Sequence, residues 1–354
     1  MRYSLVLHLL LLAALGAGAC GLDPSSPESP PPLHPDEGLD FDCDPVVDLT
    51  ALHQPVIYGN INWVSPAEAH EVLPPRQAAA IEAEVAILRA NTHTGSHGAP
   101  LTQTLLLCDE EPLADEVALS RCSGVLVGPD LMVTARHCLD ALPCDQMVVV
   151  SDFDEVILPE DSWAFEGRRC TRVLASDAGL DTAVVELEPT ANRDISVAKV
   201  RVEKITQTTP AILVSHPLGT STKVDLDVDV RPSARSPELM WFRGDAFQGS
   251  SGGGVFDVDG HLVGIVTSGL IDLSYDRDAN CMRIVRSESE GFERLASVIS
   301  VLRQACEFEP EHQACAEILK SLEHEEVQPE PIDDELTEPP VILPEQIEER
   351  GCGQ

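Results

Sequence analysis

In Gly249-Ser250-Ser251-Gly252-Gly253-Gly254-Val255-Phe256, glycines flank a serine whose hydroxyl a tight turn would leave exposed. Such a turn also lets backbone N–H groups converge beside the hydroxyl. Ser251 is therefore a candidate nucleophile, and the N–H groups of Gly249 and Ser251 are candidate donors to a developing oxyanion. A Ser-Gly-Gly run alone is an ordinary flexible loop, so its meaning depends on what precedes it.

Two segments upstream supply the missing groups. Cys122-Ser123-Gly124-Val125-Leu126-Val127 and then Thr134-Ala135-Arg136-His137-Cys138 read as a strand pair leading to a histidine directly followed by cysteine. A Cys122–Cys138 bridge would close a loop and pin His137, contributing about 3 kcal/mol by loop-closure entropy. Pinning matters because a general base must sit within hydrogen-bond reach of its nucleophile. In Leu180-Asp181-Thr182-Ala183-Val184-Val185-Glu186-Leu187, an aspartate opens an apolar strand. Beside an imidazole, its carboxylate would accept the Nδ1–H bond, fix the tautomer and stabilise the imidazolium. Each segment alone has a bland reading: a packed histidine, a turn aspartate, a loop serine. Together, in the order His137, Asp181, Ser251, they point to a serine-hydrolase site.

Between these segments short aliphatic runs alternate with turn signals. Met147 to Val150, Ala211 to Val214 and Leu262 to Val266 are examples, with Pro129-Asp130 and Asp259-Gly260 as turns. Many short strands at this spacing indicate a β-sandwich or barrel. Asp257-Val258-Asp259-Gly260 is expected to be a hairpin turn rather than a calcium loop, because strands flank it and further ligands are missing. Asp225, Asp227 and Asp229 are expected on the wet face of a strand whose other face holds Val224, Leu226 and Val228. Residues 76 to 90 fit helix in one half and strand in the other. Phe292, Leu295, Ala296, Ile299 and Leu302 recur at helical spacing, which predicts a core-packing helix near 291 to 305. No internal repeat is visible.

The blocks Thr134–Cys138, Asp181-Thr182-Ala183-Val184 and Gly249-Ser250-Ser251-Gly252-Gly253 resemble the three signature blocks of trypsin/chymotrypsin-like peptidases. The Cys122–Cys138 separation is similar to that family's His-loop disulfide. Val56-Ile57-Tyr58-Gly59 and Leu107-Cys108 look like the secreted bacterial branch that includes glutamyl endopeptidases. The resemblance implies an all-β fold of two six-stranded antiparallel β-barrels, a site in the cleft between them, and a C-terminal helix. It implies that Thr267-Ser268-Gly269 pairs with substrate backbone, and that Asp245, six residues before Ser251, stands where trypsin carries its pocket-base aspartate. A carboxylate there would pair with Arg or Lys at the cleaved position. The competing reading of Asp245 is a structural residue of an Asp-x-Phe-x-Gly turn. Val266 stands where glutamyl endopeptidases carry a histidine, which ranks a Glu preference lower. Departures from the family include Ser250 in place of an aspartate that pairs with a new N-terminus, Phe247 in place of a bracing cysteine, and Ser268 in place of a tryptophan. An α/β-hydrolase nucleophile elbow also fits Gly249-x-Ser251-x-Gly253. It requires Ser before Asp and His, and a helix after Ser; here both partners precede Ser251, and three glycines start a helix poorly.

The flanks set the compartment. Arg2 followed by the apolar run Leu5 to Leu15 reads as an export signal, too short to span a bilayer comfortably. Ala17-Gly18-Ala19 fits ordinary cleavage, whereas Leu15 to Cys20 fits a lipoprotein signal with a lipid anchor at Cys20. With Cys20 lipidated, ten of the eleven cysteines remain to pair. The expected organisation is a signal peptide over 1–19, a Pro/Ser-rich spacer over 20–54, a peptidase domain over 55–306 and an acidic, Pro-rich tail over 307–354. A formal net charge of −37 repels nucleic acid and anionic lipid. The resemblance implies protein or peptide substrates, and the expected protein is a monomer, secreted or held at the cell envelope. No Cys-x-x-Cys or zinc-spaced Cys/His set is present, and acyl transfer needs no cofactor, so neither metal nor cofactor is expected. The alternative function is a peptidase-like binding module of the cell envelope that has lost turnover.

Overall fold

The computed structural model describes residues 57–58, 61, 63–90, 99–153, 167–190, 195–269, 272–287 and 292–322. The export segment, the spacer, Cys20 and the tail beyond Leu322 lie outside them.

Six strands make the first barrel: β1 (Glu84–Arg89), β2 (Ser120–Gly128), β3 (Leu131–Ala135), β4 (Met147–Val150), β5 (Gly167–Asp177) and β6 (Thr182–Leu187). They close antiparallel in the cyclic order β1–β2–β3–β6–β5–β4. Six more make the second: β7 (Thr209–Ser215), β8 (Lys223–Pro232), β9 (Leu239–Arg243), β10 (Gly254–Asp257), β11 (His261–Ser268) and β12 (Glu293–Ala296). Their order, β7–β8–β9–β12–β11–β10, closes through the β7–β10 pairing and repeats that of the first barrel. The shared topology has no counterpart in a visible sequence repeat. Short strands add to the second barrel's edges: Trp63–Val64 on β8 and Lys199–Val200 on β11.

Strand alternation builds two kinds of core from the same runs. Leu126, Met132 and Val185 fill the first barrel with Val85, Ile87 and Val149. Their neighbours Val125, Val133 and Val184 turn outward and pack with Ile212, Val214, Phe256 and Ile265 between the barrels. Because both faces are covered, these strands read as continuous apolar runs rather than alternating ones. The inner core of the second barrel is Leu213, Val228, Val230, Phe242, Val255 and Leu295.

Two expectations are corrected. The predicted helix near 291 to 305 is a strand followed by a helix. Leu295 pairs with Met240 and Val266 in β12, and the helix runs over Ile299–Phe308. Strand residues buried on both faces imitated helical spacing. Asp225 is not on a wet face: it is 1% exposed, and its carboxylate accepts the N–H groups of Asp227 (3.0 Å) and Asp245 (2.7 Å). Past residue 306 a helix at Gln313–Leu322 follows, which the Cys306–Cys315 disulfide and buried Ile318 and Leu322 hold to the body. Residues 76 to 90 resolve into the helix Pro75–Ile81 and strand β1. The Asp257–Gly260 turn is a hairpin between β10 and β11, with Asp257 Oδ1 accepting the N–H groups of Asp259 and His261.

Candidate active site

His137 sits in the short helix Arg136–Ala141, which starts as β3 ends. Helix starts leave N–H groups without partners, and here Asp181 takes two of them. Its carbonyl accepts from Arg136 N–H (2.9 Å) and its Oδ1 from His137 N–H (3.0 Å). Its other oxygen, Oδ2, lies 2.7 Å from His137 Nδ1. One aspartate thus holds the backbone and ring of one histidine, fixing the imidazole with Nδ1 toward the carboxylate and Nε2 away from it. Asp181 reaches this position through a left-handed backbone (φ 58°), set by a turn in which Asp177 Oδ1 accepts the N–H groups of Gly179 and Leu180. The Cys122–Cys138 disulfide ties the helix to β2. The ligand atoms of Cys122, His137 and Cys138 lie within 4.8 Å of one another, but the disulfide occupies both sulfurs and leaves no thiolate for a metal.

The Ser251 turn rests on the first barrel. The carbonyl of Ser251 accepts from Ser123 N–H (2.8 Å) and lies 3.7 Å from Cys138 Sγ. Ser123, fully buried in β2, also donates its hydroxyl to the carbonyl of Gly249 (2.8 Å) and accepts from His216 N–H (3.0 Å). Gly249 (φ +99°) and Gly252 (φ +86°) adopt left-handed backbone, and a Cβ at 249 would meet the His216 carbonyl at 2.5 Å and Gly219 N at 2.7 Å. The N–H groups of Gly249 and Ser251 donate to no acceptor among the described residues. Ser250 stays beneath the turn. Its hydroxyl accepts from Phe247 N–H (3.2 Å) and from Ser215 Oγ (2.9 Å), so two neutral serines brace the loop.

The structure joins His137 to Asp181 directly and sets the Ser251 backbone against the neighbouring disulfide. Ser251 Oγ and His137 Nε2 make no hydrogen bond to each other; such bonds are often long in free enzymes and tighten on substrate. Of the expected substrate-contact residues, Thr267 is buried, Ser268 is exposed at the end of β11, and Gly269 lines a pocket of about 190 Å3 beside Ser251. Ala246, Phe247, Gln248, Val266 and Asp272 complete that lining. Asp245 is not part of it. It is 2% exposed, its N–H bound to Asp225 and its carbonyl accepting from Trp63 Nε1 (3.1 Å), as suits the structural turn residue of the competing reading.

Sequence reasoning missed Ser123, Ser215 and Asp272. Ser123 had a signal, a polar residue inside the apolar run of β2. Asp272 had none, since only the folded loop brings it to Ser251. A larger depression of about 900 Å3, lined in part by Arg201, Lys204, Met240, Arg303 and Leu322, shares no residue with this site.

Residues 122–265 match the family model of the trypsin-like peptidase domain, a span that contains His137, Asp181 and Ser251. The match supports a serine-type peptidase. No curated protein sequence matches the chain. Solved structures similar to it include the active form of the Rv3671c protease from M. tuberculosis (18% identity, TM-score 0.41, covering 72% of this chain and 91% of that one). Its inactive form (16%, 0.40, 66% and 92%) and the serine endoprotease from Yersinia pestis (14%, 0.39, 69% and 68%) are also similar.

Proposed function

We propose that this protein is a serine endopeptidase working through His137, Asp181 and Ser251. The observation that carries the reading is the two-point hold of Asp181 on His137, at ring and backbone, beside a serine turn whose Gly249 and Ser251 N–H groups are unengaged. Ser251 Oγ attacks a peptide carbonyl carbon while His137 Nε2 takes its proton. The carbonyl oxygen becomes an oxyanion held by the N–H groups of Gly249 and Ser251. The tetrahedral species collapses, the C–N bond breaks, and His137 passes the proton to the leaving amine. Water, deprotonated by His137, then releases the acyl group and regenerates Ser251. Asp181 orients the ring and stabilises its charged form throughout.

Substrate backbone pairs with Thr267-Ser268-Gly269, and cleavage follows Arg or Lys. On this reading the chain is a member of the secreted bacterial branch, acts outside the cytosol as a monomer, and is either freely secreted or anchored through Cys20. Four disulfides, Cys108–Cys281, Cys122–Cys138, Cys144–Cys170 and Cys306–Cys315, support an oxidising compartment. No helix of the described residues is long and apolar enough to cross a membrane.

A fluorophosphonate probe tests the reading. Stoichiometric labelling of wild type, its loss in Ser251→Ala, and a labelling rate reduced by orders of magnitude in Asp181→Asn are expected. Folded, processed protein that never labels would favour the binding module instead.

A further inference from the structure

Among the described residues, the pocket next to Ser251 carries one charged side chain in its lining, and it is a carboxylate. Asp272 stands at the foot of a hairpin formed by Leu273–Asp276 and Cys281–Ile284. Several contacts hold it there. Its carbonyl accepts from Val285 N–H (2.9 Å), the Cys108–Cys281 disulfide fixes the opposite strand, and Arg283 bridges Asp276 (2.7 Å) and Glu110 (2.8 Å). Its Oδ2 accepts from Gln248 N–H at 2.6 Å, which ties the hairpin to the loop leading into Ser251. Its Oδ1 has no partner among the described residues.

The other described lining residues are Ala246, Phe247, Gln248, Ser251, Val266 and Gly269, none of them cationic. Gly269 leaves the wall thin, and the buried Glu293 carboxylate lies behind it, 2.7 Å from where a Gly269 Cβ would stand. The Asp272 carboxylate therefore meets an entering side chain. A volume of about 190 Å3 is below that of a drug-sized cavity and suits a single side chain. An acidic side chain would face repulsion, and a neutral one would leave a half-desolvated carboxylate unmatched.

Deepening the peptidase reading, on which it rests, we infer that Asp272, rather than Asp245, selects the residue at the cleaved position and selects a cation, Arg or Lys. The long aliphatic stem lies along Val266, Ala246 and Phe247, and the charged head meets Asp272 Oδ1. Burial pushes the Asp272 carboxyl up to about 6, so an empty pocket holds its charge at a cost that an incoming cation relieves.

Two measurements test this, and Asp272→Asn suits both, because an amide oxygen keeps the bond from Gln248 N–H while the charge goes. The first is benzamidine binding to Ser251→Ala and to Ser251→Ala/Asp272→Asn, which needs no turnover. Binding to the single variant, weaker by about thirtyfold or more in the double one, is expected for a desolvated charge pair. Equal binding to both, or none to the single variant, overturns the inference. The second uses peptides differing only at the cleaved residue. The Arg-to-Gln ratio of kcat/KM should fall by about a hundredfold in Asp272→Asn. An unchanged ratio there, with collapse in Asp245→Asn, overturns it. Benzamidine binding that depends on Asp272 in a protein that never takes the fluorophosphonate supports the cation pocket and sinks turnover alone.

Discussion

His216 offers a quantitative test of how the Ser251 turn is supported. Its ring is 1% exposed and sits edge-on to Phe153 with centroids 5.6 Å apart. Desolvation is the main reason that its pKa falls from an ordinary 6.5 to about 3; Lys223 lowers it further, while the backbone of Thr220 and Val85 opposes the fall. In the unfolded chain the ring takes a proton near pH 6.5, whereas the folded chain resists until about pH 3. The unfolded state thus binds more protons between those values. Stability from this ring is fully present above pH 6.5 and is lost as the pH falls toward 3. The loss is about 2 kcal/mol by pH 5 and about 5 kcal/mol at the acid limit, against a typical total of about 5–15 kcal/mol. Three buried carboxylates act in the opposite sense. Burial raises Glu84, Asp225 and Asp272, so the folded state takes up their protons first and gains stability on acidification. A wild-type pH curve alone therefore mixes both signs. The perturbation is His216→Phe in a Ser251→Ala background, which prevents self-digestion, with urea unfolding followed by circular dichroism at pH 8 and pH 5. The stability gap between the two proteins should change by about 2 kcal/mol in the variant's favour at the lower pH. Parallel pH dependences would refute the buried neutral ring. The effect bears on catalysis because His216 N–H bonds Ser123 Oγ, which in turn holds the Gly249 carbonyl.

Two further outcomes follow from the same loop. Gly249→Ala should cost about 1–2 kcal/mol for its left-handed backbone and force the turn away from the His216 carbonyl and Gly219 N. Hydrolysis should fall far more than thermal stability, and a variant with wild-type kcat would remove Gly249 N–H from the oxyanion site. The disulfides Cys122–Cys138 and Cys144–Cys170 span 16 and 26 residues, so deleting either as a Cys→Ala pair should cost about 3 kcal/mol. Only loss of the first should also lower kcat, because only it borders His137 and the Ser251 carbonyl; equal kcat losses would refute that assignment.

Much of the site was legible because its demands on sequence are local. A histidine beside its own disulfide cysteine, an aspartate opening a strand, and a serine between residues with left-handed backbone each need particular neighbours in the chain. The barrels were legible as short apolar runs with turns between them. The segment 291 to 305 misled because β12 is covered on both faces: Leu295 and Ala296 are apolar for the strand, Ile299 and Leu302 for the helix, and their sum imitates one helical stripe. Asp225 misled for a related reason. Alternating aspartates look solvated, yet one of them lies under the second barrel's loop as an acceptor for two backbone N–H groups.

By itself the sequence determined the order of the chemical groups and their local turns, since those depend on residues within a few positions of one another. Only the tertiary structure decided that both barrels share one strand order, that Ser123 ties them at the Ser251 turn, and that Asp272 rather than Asp245 lines the pocket. A pocket's charge is the sum of what distant loops deliver to one place. That delivery is set by strand closure and by long-range links such as the Cys108–Cys281 disulfide, which leave no periodicity or spacing in the chain to read.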